Sequence, residues 1–357
     1  APEAIRVLGA TVHSTPAAVS YSANLDTTTG RVTGTRDDYV LFGSSEGGLH
    51  LVDADNYGVG DGGAEKFVII PKEMLMDSSK SDALIKGATK PEIGAPNFGV
   101  DAPWLVTADY RYDLSNGQVN VETGSGKGVF AYGGLRMGGE AFYGVNLTNT
   151  NAPSMMFTIT PTTSGFSRMG QIWSKPTKAK IKMSKTDEGT EVLVFGGGYD
   201  MCYENEGFQV GITDTELGAC SNKSSVKGNA VYIINAKTGA LIWSASAEGS
   251  PTKTVNSMTN SIVAGVTTLD RDNDGFMDHI YFADLGGQVF RADFTNAGFV
   301  KPVASGTASP ETSFSNTRVT RVLKPAYSGS NKKYNHRFYE RPVVSFYRND
   351  LTNYLHS

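Results

Sequence analysis

Four times along this chain an apolar run stops at glycine-rich punctuation, and a second apolar run follows and ends at an acidic or amide residue or a glycine. The first copy is YVLFG at 39–43, Gly47-Gly48, then LHLVD at 49–53. The second is VFAYGG at 129–134, Gly138-Gly139, then AFYGVN at 141–146. The third, VLVFGGG at 192–198, is interrupted by a polar stretch between two cysteines and resumes as VYIIN at 231–235. The fourth is HIYFAD at 279–284, Gly286-Gly287, then VFRAD at 289–293. A further strand-like run precedes each copy, at 12–20, 103–108, 174–181 and 262–269, and another follows at 67–71, 156–161 and 241–245. Short antiparallel strands repeated in fours make a propeller blade. The expectation is an all-β chain: a modified β-propeller of four-stranded blades forming a single domain over 1–357. The units exceed the about 40–50 residues of common propeller repeats, so insertions must account for the excess. A two-sheet sandwich is the competing fold, but it does not explain the recurring Gly-Gly.

Three segments depart from the rhythm. Residues 72–90, KEMLMDSSKSDALIKGATK, have helical spacing and read as a short helical insertion. Residues 302–330 are rich in Ser, Thr, Gly and Pro and read as a long exposed loop. Residues 341–346, RPVVSF, read as an opening strand that pairs with the N-terminal strand and closes a sheet edge.

Composition sets bounds. The 41 glycines, 17 Phe and 16 Tyr suit short strands and tight turns. A net charge of −4 supplies no general field for nucleic acid or anionic membrane. No apolar run is long enough to span a bilayer as a helix. The sequence opens Ala-Pro-Glu, without Met or an apolar leader, as expected of a fragment or a processed form. Cys202 and Cys220 bracket the polar insertion and read as a disulfide-closed loop, which points to an extracytoplasmic compartment.

The chemistry-bearing motif is DRDNDGFMD at 270–278. Carboxylates stand at loop positions one, three, five and nine, and glycine at six, the ligand rhythm of an EF-hand-type calcium loop. Asp270, Asp272 and Asp274 point inward only if the chain coils tightly, which Gly275 permits. The usual glutamate at position twelve is missing, so Asp278 is expected to close the shell with the carbonyl of Phe276. Four acids in nine residues repel one another unless a cation sits between them. The competing reading is a solvated acidic turn.

Asp53, Asp55 and Asp61 form a looser acidic cluster with Tyr57 at the central position, better read as a polar turn. The run NAKTGALIW at 235–243 is similar to the repeat of quinoprotein dehydrogenases, but it occurs once, so Trp243 is expected in blade packing. The five histidines lack metal spacing or an adjacent nucleophile motif, and no enzymatic activity is expected.

The chain resembles the PilC/PilY-type tip-associated adhesins of type IV pili. The likeness rests on VHSTP at 12–16, GGLHLVD at 47–53, FGGGYD at 195–200 and, most specifically, LDRDNDGFMDHIYFADLGGQVFRADF at 269–294. It implies the propeller region of a larger secreted protein, with calcium at Asp270, Asp272, Asp274 and Asp278. It further implies calcium control of pilus extension and retraction, in support of adhesion, twitching motility or DNA uptake. The implied partners are pilus subunits or minor pilins, the assembly machinery, and a host or surface ligand, at the cell surface or pilus tip. Two other readings are a periplasmic quinoprotein relative and a calcium-stabilised module for carbohydrate or host protein.

Overall fold

Runs apolar on both faces become inner strands, because only a strand covered on both sides can place consecutive apolar residues out of water. In the computed structural model, β1 (Ala17–Leu25), β2 (Val32–Gly43), β3 (Leu49–Asp53) and β4 (Glu65–Ile69) form one sheet in chain order. β5 (Leu105–Ala108) is followed by the hairpin β6 (Tyr110–Asp113) and β7 (Gln118–Val121). The second sheet joins β5 to β8 (Val129–Gly134), β9 (Phe142–Asn146) and β10 (Ser154–Ile159). The third runs β11 (Thr177–Ile181), β12 (Thr190–Gly196), β13 (Ala230–Asn235), β14 (Leu241–Ser246) and the two-residue β15 (Lys253–Thr254). The fourth is β16 (Thr267–Leu269), β17 (His279–Ala283), β18 (Val289–Thr295) and β19 (Ser315–Leu323). A hairpin of β20 (Tyr347–Asn349) and β21 (Tyr354–His356) stands apart from these sheets. The structure describes 9–55, 62–78, 80–81, 98–300, 309–325, 336–345, 347–349 and 354–356.

The fold is all-β and built of propeller blades. Within each repeat the four strands pair antiparallel in the order of the chain, with β7–β6 and the parallel β15 added at sheet edges, and all four repeats read from the sequence are blades. Burial follows position. β8 is buried along its whole length and β13 at all but its last residue, whereas β19 is mostly exposed. The Gly-Gly turns have a local cause. In the first blade the Ser44 N–H donates to the Gly48 carbonyl, and in the fourth Asp284 N–H donates to Gln288 in the same way. Gly47 (φ 110°) and Gly287 (φ 77°) adopt the left-handed conformation these turns require.

The chain divides into two compact units, 1–176 with 236–240, and 177–235 with 241–357. The first has a core of Leu41, Leu51, Trp104, Ala131 and Val145, among others. The second packs Val194, Ile233, Trp243, Ile280, Phe282 and Phe290. Trp243 meets Phe294 edge to face at 5.0 Å, so it serves blade packing as expected.

Several expectations change. Residues 302–330 are not one loop, because the nine-residue β19 lies within them and supplies the fourth strand of its blade. Its Ser/Thr-rich composition reflects an exposed edge position rather than irregular backbone. Residues 341–345 are coil rather than strand, and the Pro342 carbonyl accepts a hydrogen bond from the Thr267 hydroxyl. Helix α1 covers only Lys72–Met76, with helical conformation again at 78 and 80–81; the rest of the 72–90 insertion lies outside the described residues. The β6–β7 hairpin was not anticipated. It leaves the second repeat and pairs β7 with β1, as in Ser22↔Asn120.

Cys202 and Cys220 form a disulfide, with Cα atoms 5.6 Å apart. In the chain-entropy picture, closure of such a loop contributes about 3 kcal/mol. Asp200 caps the short helical turn Met201–Glu204 through the Cys202 N–H at 2.9 Å. Arg337 then ties the insertion down, donating to the carbonyls of Tyr203 (2.7 Å) and Asn205 (2.9 Å).

Candidate metal centre

The 270–278 loop connects β16 to β17, the first and second strands of the fourth blade, as the repeat predicts. Backbone pairing fixes both ends. Asp278 N–H donates to Leu269 O at 2.9 Å, and Phe294 N–H donates to Asp278 O at 2.7 Å. Met277 is buried in the core of its unit, and its N–H donates to Lys180 O at 2.8 Å. The Phe276 ring lies beneath the Lys182 ammonium, 5.9 Å from its centroid. Between these anchors the chain coils. Asp270 accepts from the N–H groups of Asp274 (3.2 Å) and Gly275 (2.8 Å), and Asp278 accepts from Arg271 N–H at 2.8 Å. Gly275 sits at φ 92°, as expected, and Asn273 also adopts the left-handed region at φ 62°. Asn is among the few side chains that tolerate it.

The coil brings one oxygen each of Asp270, Asp272 and Asp278 within 4.8 Å of one another. Asp274 stands beside this group and accepts from Phe276 N–H at 2.9 Å. Partial desolvation, reinforced by the charges of Asp272 and Asp270, holds the Asp274 carboxyl above the usual carboxylate range. Asp278 is raised for the same reasons, burial first and then Asp272, although the Arg271 N–H opposes the shift. Burial and neighbouring carboxylates both favour the neutral acid, whereas a nearby cation would favour the charged one. Hard carboxylate oxygens converging on one point fit a hard divalent cation, with calcium favoured by a flexible loop and magnesium by strict octahedral geometry.

The same blade handles another carboxylate in the opposite way. Strand register places Asp293 opposite His279 on β17 and Arg318 on β19, with Arg291 two residues along on the same face. His279 Nδ1 lies 2.7 Å from Asp293, Arg291 Nε lies 2.8 Å away, and Arg318 Nε also donates to it. Although burial opposes it, this cationic company holds Asp293 below its ordinary range.

Other expected residues are placed less informatively. Asp53 accepts from Asp55 N–H at 2.9 Å, a polar turn, while Tyr57 and Asp61 lie outside the described residues. His13 pairs with Asp101 at 2.9 Å beside Arg136, whose guanidinium stacks 4.1 Å from the Trp173 ring centroid. A relay that sequence reading missed joins Ser44 Oγ to His50 Nε2 at 2.9 Å and His50 Nδ1 to Glu65 at 2.5 Å. It has the order of a nucleophile relay. Ser44 is only 1% exposed, however, and its hydroxyl also accepts from Gly48 N–H, so the relay braces a turn.

No family profile matches the sequence, and no curated protein does. Among solved structures, the chain is similar to the PilY1 C-terminal domain of Pseudomonas aeruginosa at 21% identity and a TM-score of 0.45. That match covers 75% of this chain and 40% of the other. It is also similar to BamB of Moraxella catarrhalis at 14% identity and a TM-score of 0.29, covering 71% and 42%. The chain therefore spans less than half the length of either neighbour. At these values the sheets themselves, rather than the likeness, establish the blade architecture.

Proposed function

We propose that this chain is a calcium-binding, non-enzymatic propeller region of the type IV pilus tip-associated adhesin class. Calcium sits in the 270–278 loop, held by Asp270, Asp272, Asp274 and Asp278 with the Phe276 carbonyl as backbone ligand. The observation that carries this reading is the convergence of three carboxylates in a coil that meets them with its own backbone N–H groups. Residues 269–294, the block most similar to those adhesins, contain this loop and both inner strands of its blade. The disulfide supports an extracytoplasmic location, and no helix among the described residues is long and apolar enough to cross a membrane.

The loop's role follows from its place. It joins β16 to β17, and the register of β17 with β18 sets His279 against Asp293, so ordering the loop orders the blade. Calcium biases the population of the ordered blade and so the surface offered to pilus subunits, minor pilins or the assembly machinery. Regulation of pilus extension and retraction, and through it adhesion, motility or DNA uptake, rests on that bias. Calorimetric titration of chelator-treated protein tests the reading. One calcium site in the wild type, lost in Asp272→Ala, is the expected result, followed by altered pilus number and motility in cells carrying the variant. A folded wild type that binds no calcium sinks the proposal.

A further inference from the structure

The second unit contains a cleft of about 390 Å³ that the calcium loop does not line. Its described walls include the disulfide-closed insertion (Tyr203, Gln209), the segment before β16 (Asn256, Ser257), the turn into β18 and the end of β19 with the residue after it (Gln288, Arg321, Lys324), and His336. Among the described residues no carboxylate lines it. Arg321 donates through Nη1 to Gln288 Oε1 at 2.7 Å and, among the described residues, meets no carboxylate. The surrounding sequence sharpens the contrast. β19 and the residue after it contribute Arg318, Arg321 and Lys324 and no Asp or Glu, in a chain whose net charge is −4.

The floor is held rigid from below. Asp284 is fully buried and accepts from Gly286 N–H, Gln288 N–H and Gln288 Nε2, at 2.9, 2.9 and 2.7 Å. Gln288 Nε2 also reaches Ser257 O at 3.0 Å, which fixes the amide so that its oxygen faces Arg321. Asn260 is pinned by the Tyr203 hydroxyl at 3.0 Å. Amides locked in this way lose little freedom when a ligand arrives.

We infer that this cleft binds an acidic saccharide, with Arg321 and Lys324 taking the carboxylate and the amide and hydroxyl side chains taking the sugar hydroxyls. Sugar hydroxyls both donate and accept, as do Asn, Gln and Ser side chains, whereas a bare phosphate is chiefly an acceptor. A guanidinium matches a carboxylate in a fork geometry. Nucleic acid is disfavoured because Tyr203 is buried and offers no stacking face, and because the chain is net acidic. An apolar peptide anchor is disfavoured because Leu285 is buried and the lining is mostly polar.

The test uses the calcium-loaded chain and 3′-sialyllactose as probe, with lactose as its uncharged counterpart and inorganic phosphate as the bare anion, followed by calorimetry and side-chain amide chemical shifts. The expected result is saturable binding of sialyllactose, at least about tenfold tighter than lactose, with shifts at Asn260 and Gln288. Arg321→Gln should weaken it about tenfold or more, and Arg321→Lys should lie between. Arg321 is on the exposed edge strand, so both variants are expected to keep the wild-type melting temperature. Absence of binding, equal binding of lactose, undiminished binding by Arg321→Gln, or saturation by phosphate at the same concentration would each overturn the assignment.

Discussion

The 270–278 loop and Asp293 are two acidic sites in one blade, yet they resolve their charge in opposite ways. Asp293 draws its cations from the sheet itself, because antiparallel register sets His279 and Arg318 directly across from it. The loop has four carboxylates and turns to its own backbone N–H groups, which satisfy hydrogen bonds but leave the net charge in place. Charge compensated within the fold belongs to structure, while charge left over calls for something from outside. The direction of the carboxyl shifts records this: Asp274 and Asp278 go up and Asp293 goes down.

The contrast is easiest to break at Asp293. Asp293→Ala should cost about 3 kcal/mol, the low end for removing one partner of a buried ion pair, because it strands Arg291 and His279. Urea unfolding with and without calcium should give the same loss; a loss that appears only without calcium would merge the two sites. Next in size, calcium at a hundred times its dissociation constant should stabilise the wild type by about 2.7 kcal/mol and Asp272→Ala hardly at all. Melting curves across a calcium series check this. Smaller, and opposite in sign to most acidic substitutions, Asp272→Asn in chelated protein should raise stability by about 0.5 kcal/mol, since it removes one of the repelling charges. A loss of stability there would mean the loop is already neutralised.

The smallest effect is a difference in pH dependence. Raised folded-state values at Asp274 and Asp278 give a contribution that is complete below the unfolded value of about 3.9 and lost as pH rises through the folded values. A lowered value at Asp293 gives a contribution present above about 3.9 and lost as pH falls through its folded value. In chelated protein, Asp274→Asn should therefore gain on the wild type as pH rises from 4 to 7, and Asp293→Asn should fall further behind. Parallel slopes for the two variants would remove the distinction.

The parts of this architecture legible in the sequence were those written in local pattern. The inner strands announce themselves as apolar runs, the turns by glycine, and the acidic 270–278 coil by its spacing, whose Gly275 takes the predicted backbone conformation. What could not be read was set by pairing across distance. β19 is polar because it lies at an edge, and only its register with β18 reveals that Arg318 belongs to Asp293 and Arg321 to Gln288. The Ser44–His50–Glu65 relay is invisible for the same reason, since Glu65 reaches His50 only once β4 has added to the sheet.

The β6–β7 hairpin carries a consequence for the order in which the chain assembles. The outer edge of β1 finds its partner in β7, and Tyr110 bonds to Ser20 across 90 residues of sequence. A polypeptide emerging from its N-terminus completes β1–β4 early but must hold β1's far edge open until the hairpin has been made. Pairings at such separation close slowly, and an open edge in the interval invites the wrong neighbour. Truncation before residue 118 should therefore yield a first sheet that forms yet self-associates, a kinetic liability that the finished structure conceals.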